Sequence, residues 1–178
     1  MRVIAGQYKG RKLESPENYD IRPTTDKAKE ALFSILYNDI PGARVLDLFA
    51  GTGGLGIEAL SRGASECIFV DHFRQSAGLV KRNLAGCGVK EEARVLQGDY
   101  HKVLAGLTGS FDIILMDPPY NKGLLEDAFH LIREHGLLAL DGVIVCEHRR
   151  EEVLPEEIDG FVREKERRYG IVKLSIYR

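Results

Sequence analysis

The sequence predicts an α/β fold in which a doubly wound, mostly parallel sheet carries helices on both faces. Apolar runs typical of buried strands occur at RVLDLFA (44–50), CIFVD (67–71), RVLQGD (94–99), FDIILMD (111–117) and GVIVCEH (142–148). Amphipathic helical stretches separate them, at 55–62, 73–86, 100–107 and 124–136. This alternation indicates βαβ units and a sheet buried on both sides. A glycine-rich turn after the first run lies at a strand end, where such sheets bind ligands.

The N-terminal segment has a different pattern. Residues 1–14 alternate loosely around Gly6 and Gly10, which predicts a small β-hairpin. The following stretch, DKAKEALFSILYN (26–38), predicts a helix with Thr25 as its N-cap. Its expected apolar face consists of Ala28, Ala31, Leu32, Ile35 and Leu36.

The C-terminal segment, residues 161–178, is predicted to form two strands joined by a turn at Gly170. An antiparallel hairpin would then complete a seven-stranded sheet. We expect one domain over residues 1–178, with an N-terminal hairpin and loop (1–25) followed by the core (26–178).

Composition excludes several classes of protein. No apolar run approaches the roughly 20 residues of a membrane helix, and the N-terminus lacks the apolar segment of a signal peptide. We therefore expect a cytoplasmic protein that does not enter a membrane. Cys67, Cys87 and Cys146 lack metal-ligand spacing, so we expect no metal and reduced core thiols.

Formal net charge is −2, which does not by itself indicate a nucleic-acid-binding protein. The first twelve residues, however, carry four basic side chains and no acid: Arg2, Lys9, Arg11 and Lys12. Such an arm could contact phosphates, although solvated surface charge explains it equally well. Arg149 and Arg150 follow a strand end and are weaker candidates, because Glu151 and Glu152 come next.

The turn from Gly51 to Gly56 satisfies the spacing G-x-G-x-x-G of dinucleotide-binding proteins. Asp47, four residues before the first glycine, argues against a pyrophosphate, because its carboxylate would repel one. A ligand with cationic groups and no phosphate, such as S-adenosylmethionine, fits better. Asp71 and Asp99 end the next two strands and could accept hydrogen bonds from ribose hydroxyls and an adenine amino group. Acids at strand ends are also frequent helix caps.

The fourth strand ends in DPPY (117–120), an acid followed by two prolines and an aromatic ring. An exocyclic amino group of a nucleobase is a poor nucleophile, because its lone pair is delocalised into the ring. The Asp117 carboxylate and the Pro118 carbonyl could accept its two N–H groups, in a turn that the prolines hold rigid. Tyr120 offers a face on which a flipped base could stack. In isolation, the two prolines would be interpreted only as the end of a strand.

The motifs DLFAGTGGLGIEA, FVD, GDY and DPPY, in this order, resemble those of class I S-adenosylmethionine-dependent methyltransferases, which have a Rossmann-like fold. The segments MRVIAGQYKGRKL, RPTTDKAKEALFSIL and DLFAGTGGLGIEALSRGA are similar to the bacterial RsmD family, the 16S ribosomal RNA guanine-N2 methyltransferases. The resemblance covers nearly the whole chain, including the terminal YGIVKLSIY.

The resemblance implies methyl transfer from S-adenosylmethionine, with S-adenosylhomocysteine as product, to a guanine of 16S rRNA in the assembled small subunit. We expect a monomer. The implied catalytic residues are Asp117, Pro118, Pro119 and Tyr120. The implied cofactor-binding residues are Asp47, Phe49, Gly51, Thr52, Gly53, Asp71, His72, Asp99 and Tyr100. The implied RNA-binding residues are Arg2, Lys9, Arg11, Lys12 and Arg22.

Other functions stay open at this point. An adenine-N6 methyltransferase would use DPPY equally well, and a protein-glutamine methyltransferase more often carries NPPY. An NAD-dependent oxidoreductase would use the glycine spacing but would need a second catalytic domain. A non-catalytic RNA-binding module would retain these motifs without activity. S-adenosylhomocysteine, and not NAD, should raise the melting temperature of a methyltransferase.

Overall fold

The computed structural model describes residues 1–16, 25–120 and 123–178. Within these ranges the helices are α1 (Asp26–Ile35), α2 (Gly54–Ser61), α3 (Arg74–Cys87), α4 (Tyr100–Gly106) and α5 (Leu124–Glu134). The strands are β1 (Arg44–Leu48), β2 (Glu66–Asp71), β3 (Ala93–Gln97), β4 (Phe111–Met116), β5 (Leu138–Arg149), β6 (Glu157–Ile158), β7 (Phe161–Tyr169) and β8 (Val172–Tyr177).

These strands form a mixed sheet in the order β3-β2-β1-β4-β5-β8-β7-β6. Strands β1 to β5 are parallel to one another, and β8 joins β5 in the antiparallel direction. The strand order reverses between β1 and β4, which lie side by side with Leu48 aligned to Met116. The carboxyl ends of these two strands therefore meet at the switch point where open α/β sheets bind ligands.

Each face of the sheet has its own apolar layer. On one face Leu32 of α1, Ile57 of α2 and Val80 of α3 are buried in one cluster. On the other face Leu104 of α4 and Phe129 of α5 belong to a second cluster. The expected covering of both faces is confirmed, and it explains why the central strands β2 and β4 carry runs of consecutive apolar residues.

The N-terminal hairpin is short but hydrogen-bonded as predicted. Arg2 and Lys12 form an antiparallel bridge, and the Leu13 amide donates to the Met1 carbonyl at 2.9 Å. Thr25 caps α1, since its hydroxyl accepts from the Ala28 amide at 3.2 Å.

Three details differ from the expectations. The sheet has an eighth strand, β6, which is only two residues long and carries no periodic signal. Strand β5 begins at Leu138, before Gly142, and passes through Asp141 in a left-handed conformation with φ 63°. The buried face of α1 includes Lys29 and Phe33, whereas the expected Ala31 and Ile35 are only half-buried.

In the described ranges no helix combines the length and apolar character needed to cross a membrane. The same ranges contain no group of three or more His, Cys, Asp or Glu side chains arranged to hold a metal ion.

Candidate active site

The glycine-rich loop connects the end of β1 to the start of α2 and contains several left-handed residues. Gly51 and Gly53 have φ of 59° and 82°, and Phe49 has φ 65° without being glycine. A non-glycine residue in this region is strained, and such strain concentrates at functional loops. Gly56 serves packing instead, because a Cβ there would lie 2.3 Å from the Phe69 ring of β2. The loop therefore turns tightly between Phe49 and Gly53, and at Gly56 it packs closely against β2.

Asp47 lies beneath this loop and not on its outer rim. Its side chain is buried, and its carboxylate accepts from the Gly56 amide at 2.9 Å. Burial raises the pKa of Asp47 to about 8, the Gly56 hydrogen bond opposes that rise, and the nearby Asp71 adds to it. The carboxyl group therefore ties β1 to the first turn of α2, and a cation near it would favour its ionised form.

Asp71 ends β2 and connects two loops. One carboxylate oxygen accepts from the Gly51 amide at 2.9 Å, and the other accepts from the Phe73 amide at 3.0 Å. Each carboxylate oxygen has a second lone pair, so hydroxyl groups of a ligand can still bind. His72 follows on the exposed surface, where its ring meets the Phe73 ring edge-on at 5.2 Å.

Asp99 and Tyr100 begin α4 at the end of the third parallel strand. Asp99 is the N-cap and accepts from the His101 amide at 2.9 Å, so its capping role is observed directly. The Tyr100 ring meets the Phe49 ring edge-on, with centroids 5.2 Å apart. This pair brings an aromatic residue of the glycine-rich loop against the third strand end.

Asp127 of α5 holds this aromatic pair in place, and sequence reasoning missed it. The Tyr100 hydroxyl donates to the Asp127 carboxylate, which also lies 2.7 Å from His101 Nε2. Burial, together with this hydrogen bond and the charge of Asp127, raises the pKa of the Tyr100 hydroxyl. No sequence signal marks Asp127, because its partners come from a different βα unit.

The DPPY segment leaves β4 directly after Met116, beside the glycine-rich loop. Pro118 is buried, Asp117 and Tyr120 are half-buried, and Pro119 is exposed. The Arg149 guanidinium lies over the Tyr120 ring, 5.1 Å from its centroid. An acid, a proline carbonyl and an aromatic ring are therefore present together at the switch point.

The N-terminal hairpin contacts the back of the glycine-rich loop, which sequence reasoning did not predict. Buried Asn83 of α3 donates to the Thr52 carbonyl at 2.8 Å and to the Glu14 carbonyl at 3.1 Å. Met1 Sδ lies 3.8 Å from the Thr52 hydroxyl. The first residues of the chain are thus fixed to the loop that the glycines shape.

The basic side chains of this hairpin point to solvent. Lys9, Arg11 and Lys12 are exposed, and Arg2 is exposed with Asp26 at 3.9 Å. Arg22, the remaining candidate for RNA contact, lies outside the described residues.

Comparison with known proteins finds a matching family, curated relatives and similar solved structures. The family model described as Conserved hypothetical protein 95 matches residues 1–178. The curated protein named Ribosomal RNA small subunit methyltransferase D of Escherichia coli is 36% identical over 178 residues, covering 100% of this chain and 89% of that protein. YlbH of Bacillus subtilis is 43% identical over 181 residues, covering 100% and 98%. The solved structure of the Escherichia coli protein yhhF superposes with a TM-score of 0.88 at 36% identity, covering 99% of this chain and 96% of that one.

Proposed function

Because the chain belongs to the Conserved hypothetical protein 95 family, which is the RsmD family, we propose that it transfers a methyl group from S-adenosylmethionine to the exocyclic N2 of a guanine in 16S rRNA. The substrate is the RNA of the small ribosomal subunit, which gives its name to the Escherichia coli relative.

The alignment of Leu48 with Met116 is the single observation that carries this proposal. It brings the glycine-rich loop and the DPPY segment to adjacent strand ends. A methyl donor held by the first segment and an amino group held by the second can then meet in line, which is the main requirement of this reaction.

The cofactor site is assigned to the loop and to the ends of the next two strands. From Asp47 to Gly56 the chain has no lysine or arginine, so this region suits a ligand with cationic groups better than one with phosphates. Asp71 retains lone pairs for ribose hydroxyls, and Asp99, Tyr100 and His72 border the region assigned to adenine. Phe49, Gly51, Thr52 and Gly53 complete the loop. When bound, S-adenosylmethionine supplies a methyl group activated by a sulfonium, and S-adenosylhomocysteine remains.

The DPPY segment positions the acceptor. Asp117 and the Pro118 carbonyl accept the two N–H bonds of the guanine amino group, which favours a tetrahedral nitrogen with its lone pair free to attack. Asp117 or water then takes the proton that the nitrogen loses. Tyr120 stacks on the extruded base, a contact worth about 1–3 kcal/mol in nucleic-acid-binding proteins. Pro119 keeps the turn rigid.

The exposed basic side chains of the hairpin are assigned to RNA phosphates, since the hairpin is attached to the cofactor loop through Asn83. Arg2, Lys9, Arg11 and Lys12 would anchor RNA close to the site and would make its binding depend on salt. Arg22 belongs to the same assignment by resemblance alone.

Substitution of Asp117 tests this assignment. We expect Asp117→Ala to reduce methyl transfer to unmodified small subunits by about 100-fold or more, the usual effect of removing one preorganised electrostatic contact. The stabilisation of the protein by S-adenosylhomocysteine should persist, because Asp117 is assigned to the acceptor. Asp112→Asn is the matched control, since Asp112 lies on the same strand at the opposite end and its Asn oxygen can still accept from the Arg44 amide. An Asp117→Ala protein with the wild-type transfer rate would rule out this role for DPPY.

A further inference from the structure

Arg149 lies against the proposed target-binding face and is not part of the site assigned so far. It is the last residue of β5, the strand next to β4. Its guanidinium covers one face of the Tyr120 ring at 5.1 Å, while its side chain remains exposed. An aromatic ring has two faces, so a base that stacks on Tyr120 opposite the guanidinium would share the ring with Arg149.

The backbone beneath Arg149 is firmly held. Arg149 pairs with Val172 of β8, and the next amide, that of Arg150, donates to the Ile171 carbonyl at 2.9 Å. The Arg149 carbonyl accepts from the Glu152 amide at 3.1 Å. The guanidinium therefore extends from a fixed point at the edge of the site.

A guanidinium that stacks through its planar face keeps its N–H groups directed outward from its edge. A base and its phosphate are joined through a single sugar, so a base stacked on Tyr120 brings a phosphate close to this edge. Lysine would supply the charge but not the planar face, which makes the two contributions separable.

We propose that Arg149 is a positioning residue for the RNA: it supports the Tyr120 ring from one side and binds a phosphate next to the base stacked on the other side. This inference rests on the proposed function. In this proposal, Arg149 and Tyr120 together contact a flipped nucleotide, in addition to the RNA contacts proposed for the N-terminal hairpin.

Binding of the protein to unmodified small ribosomal subunits, in the presence of S-adenosylhomocysteine and over a series of salt concentrations, tests the inference. We expect Arg149→Ala to weaken binding about tenfold and to lower the salt slope by about one, as for loss of one phosphate contact. Arg149→Lys should restore the salt slope but recover only part of the affinity. Arg150→Ala is the matched control, because Arg150 is the adjacent exposed arginine, and it should stay within about twofold of wild type.

Equal effects of Arg149→Ala and Arg150→Ala would overturn the inference, because the loss of one positive charge would then explain both without a specific contact. Wild-type binding and salt slope in Arg149→Ala would overturn it as well. The binding measurement does not depend on which atom is methylated, so its failure differs from a failure of the proposed function, which appears in the identity of the methylated product. The melting shift with S-adenosylhomocysteine should be unchanged in all three variants, which verifies that they are folded.

Discussion

Asp47 is a buried acid with an observed role in the fold and a proposed role in cofactor binding. Its place before the glycines predicted a carboxylate facing a cationic ligand, but its carboxyl group lies under the glycine-rich loop, where it accepts from the Gly56 amide. A buried carboxyl group with a raised pKa holds its proton near neutral pH in the absence of a cation. A cationic ligand above the loop would stabilise the ionised form, so binding and ionisation would be coupled.

This buried acid predicts how stability depends on pH. The pKa of Asp47 is raised from 3.8 to about 8 in the folded protein, so its contribution to stability is fully present below the lower value, declines as pH rises between the two values and is lost above the higher one. We expect the free energy of unfolding of Asp47→Asn, measured with urea from pH 5 to 9, to fall less steeply than that of the wild type. Where the folded protein binds one more proton than the unfolded chain, the free energy of unfolding falls by about 1.4 kcal/mol per pH unit. Parallel profiles for the two proteins would contradict the assigned pKa.

At the scale of elements, the buried acid Glu58 of α2 holds the N-terminal hairpin, together with Ser61 of the same helix, which donates to the Ala5 carbonyl at 2.6 Å. Glu58 accepts from the Ile4 amide at 3.0 Å and from the Ala5 amide at 3.1 Å. It also pairs with Lys29 of α1 at 3.6 Å and with Arg62 at 3.0 Å. Burial lowers the pKa of Lys29, and the charge of Glu58 opposes this shift. Glu58 thus joins the hairpin, α1 and α2 at one point.

Removal of this charge should be costly, because Lys29 would remain buried without its carboxylate partner. We expect Glu58→Gln to lower the free energy of unfolding by about 3–5 kcal/mol, measured by urea denaturation. The double variant Glu58→Gln with Lys29→Met should recover part of that loss, because it also removes the buried cation. A loss below about 1 kcal/mol in the single variant would show that the pair does not hold the hairpin in place.

The elements that sequence reasoning located best are those whose signal is local. The apolar runs predicted the parallel strands, and Thr25 predicted the start of α1. The contacts it missed depend on tertiary structure. Lys29 is buried because Glu58 of another helix neutralises it, and no helical periodicity can predict that pairing. Strand β6 was missed because two residues are too few to show alternation.

At the scale of the whole molecule, the sheet order creates the site from segments that are about 70 residues apart in sequence. Spacing along the chain identified the glycine-rich loop and DPPY, and the parallel register of β1 and β4 brings them together. The support for the site was not predictable in this way. Asp127 and Asn83 each act through a partner from a distant element. Their side chains carry no motif, and only the assembled fold shows their role.

The groups proposed to contact RNA lie in separate segments of the molecule. The exposed basic residues of the hairpin lie on one segment, and Arg149 lies beside DPPY on another. Formal net charge is only −2, so binding to RNA must depend on such local groups and not on overall charge. This arrangement suits a substrate whose shape, and not only its sequence, brings phosphates to both places.

The most direct test of the account is the identity of the nucleoside that receives the methyl group. The protein would be given labelled S-adenosylmethionine and small ribosomal subunits that lack this modification, with free 16S rRNA, DNA and total protein as parallel substrates. We predict label in N2-methylguanosine from the small-subunit RNA. Label in N6-methyladenosine would support the proposed role of DPPY in methyl transfer but would contradict the assignment of guanine as the substrate. No label, from protein that S-adenosylhomocysteine stabilises against melting, would contradict the catalytic role of DPPY.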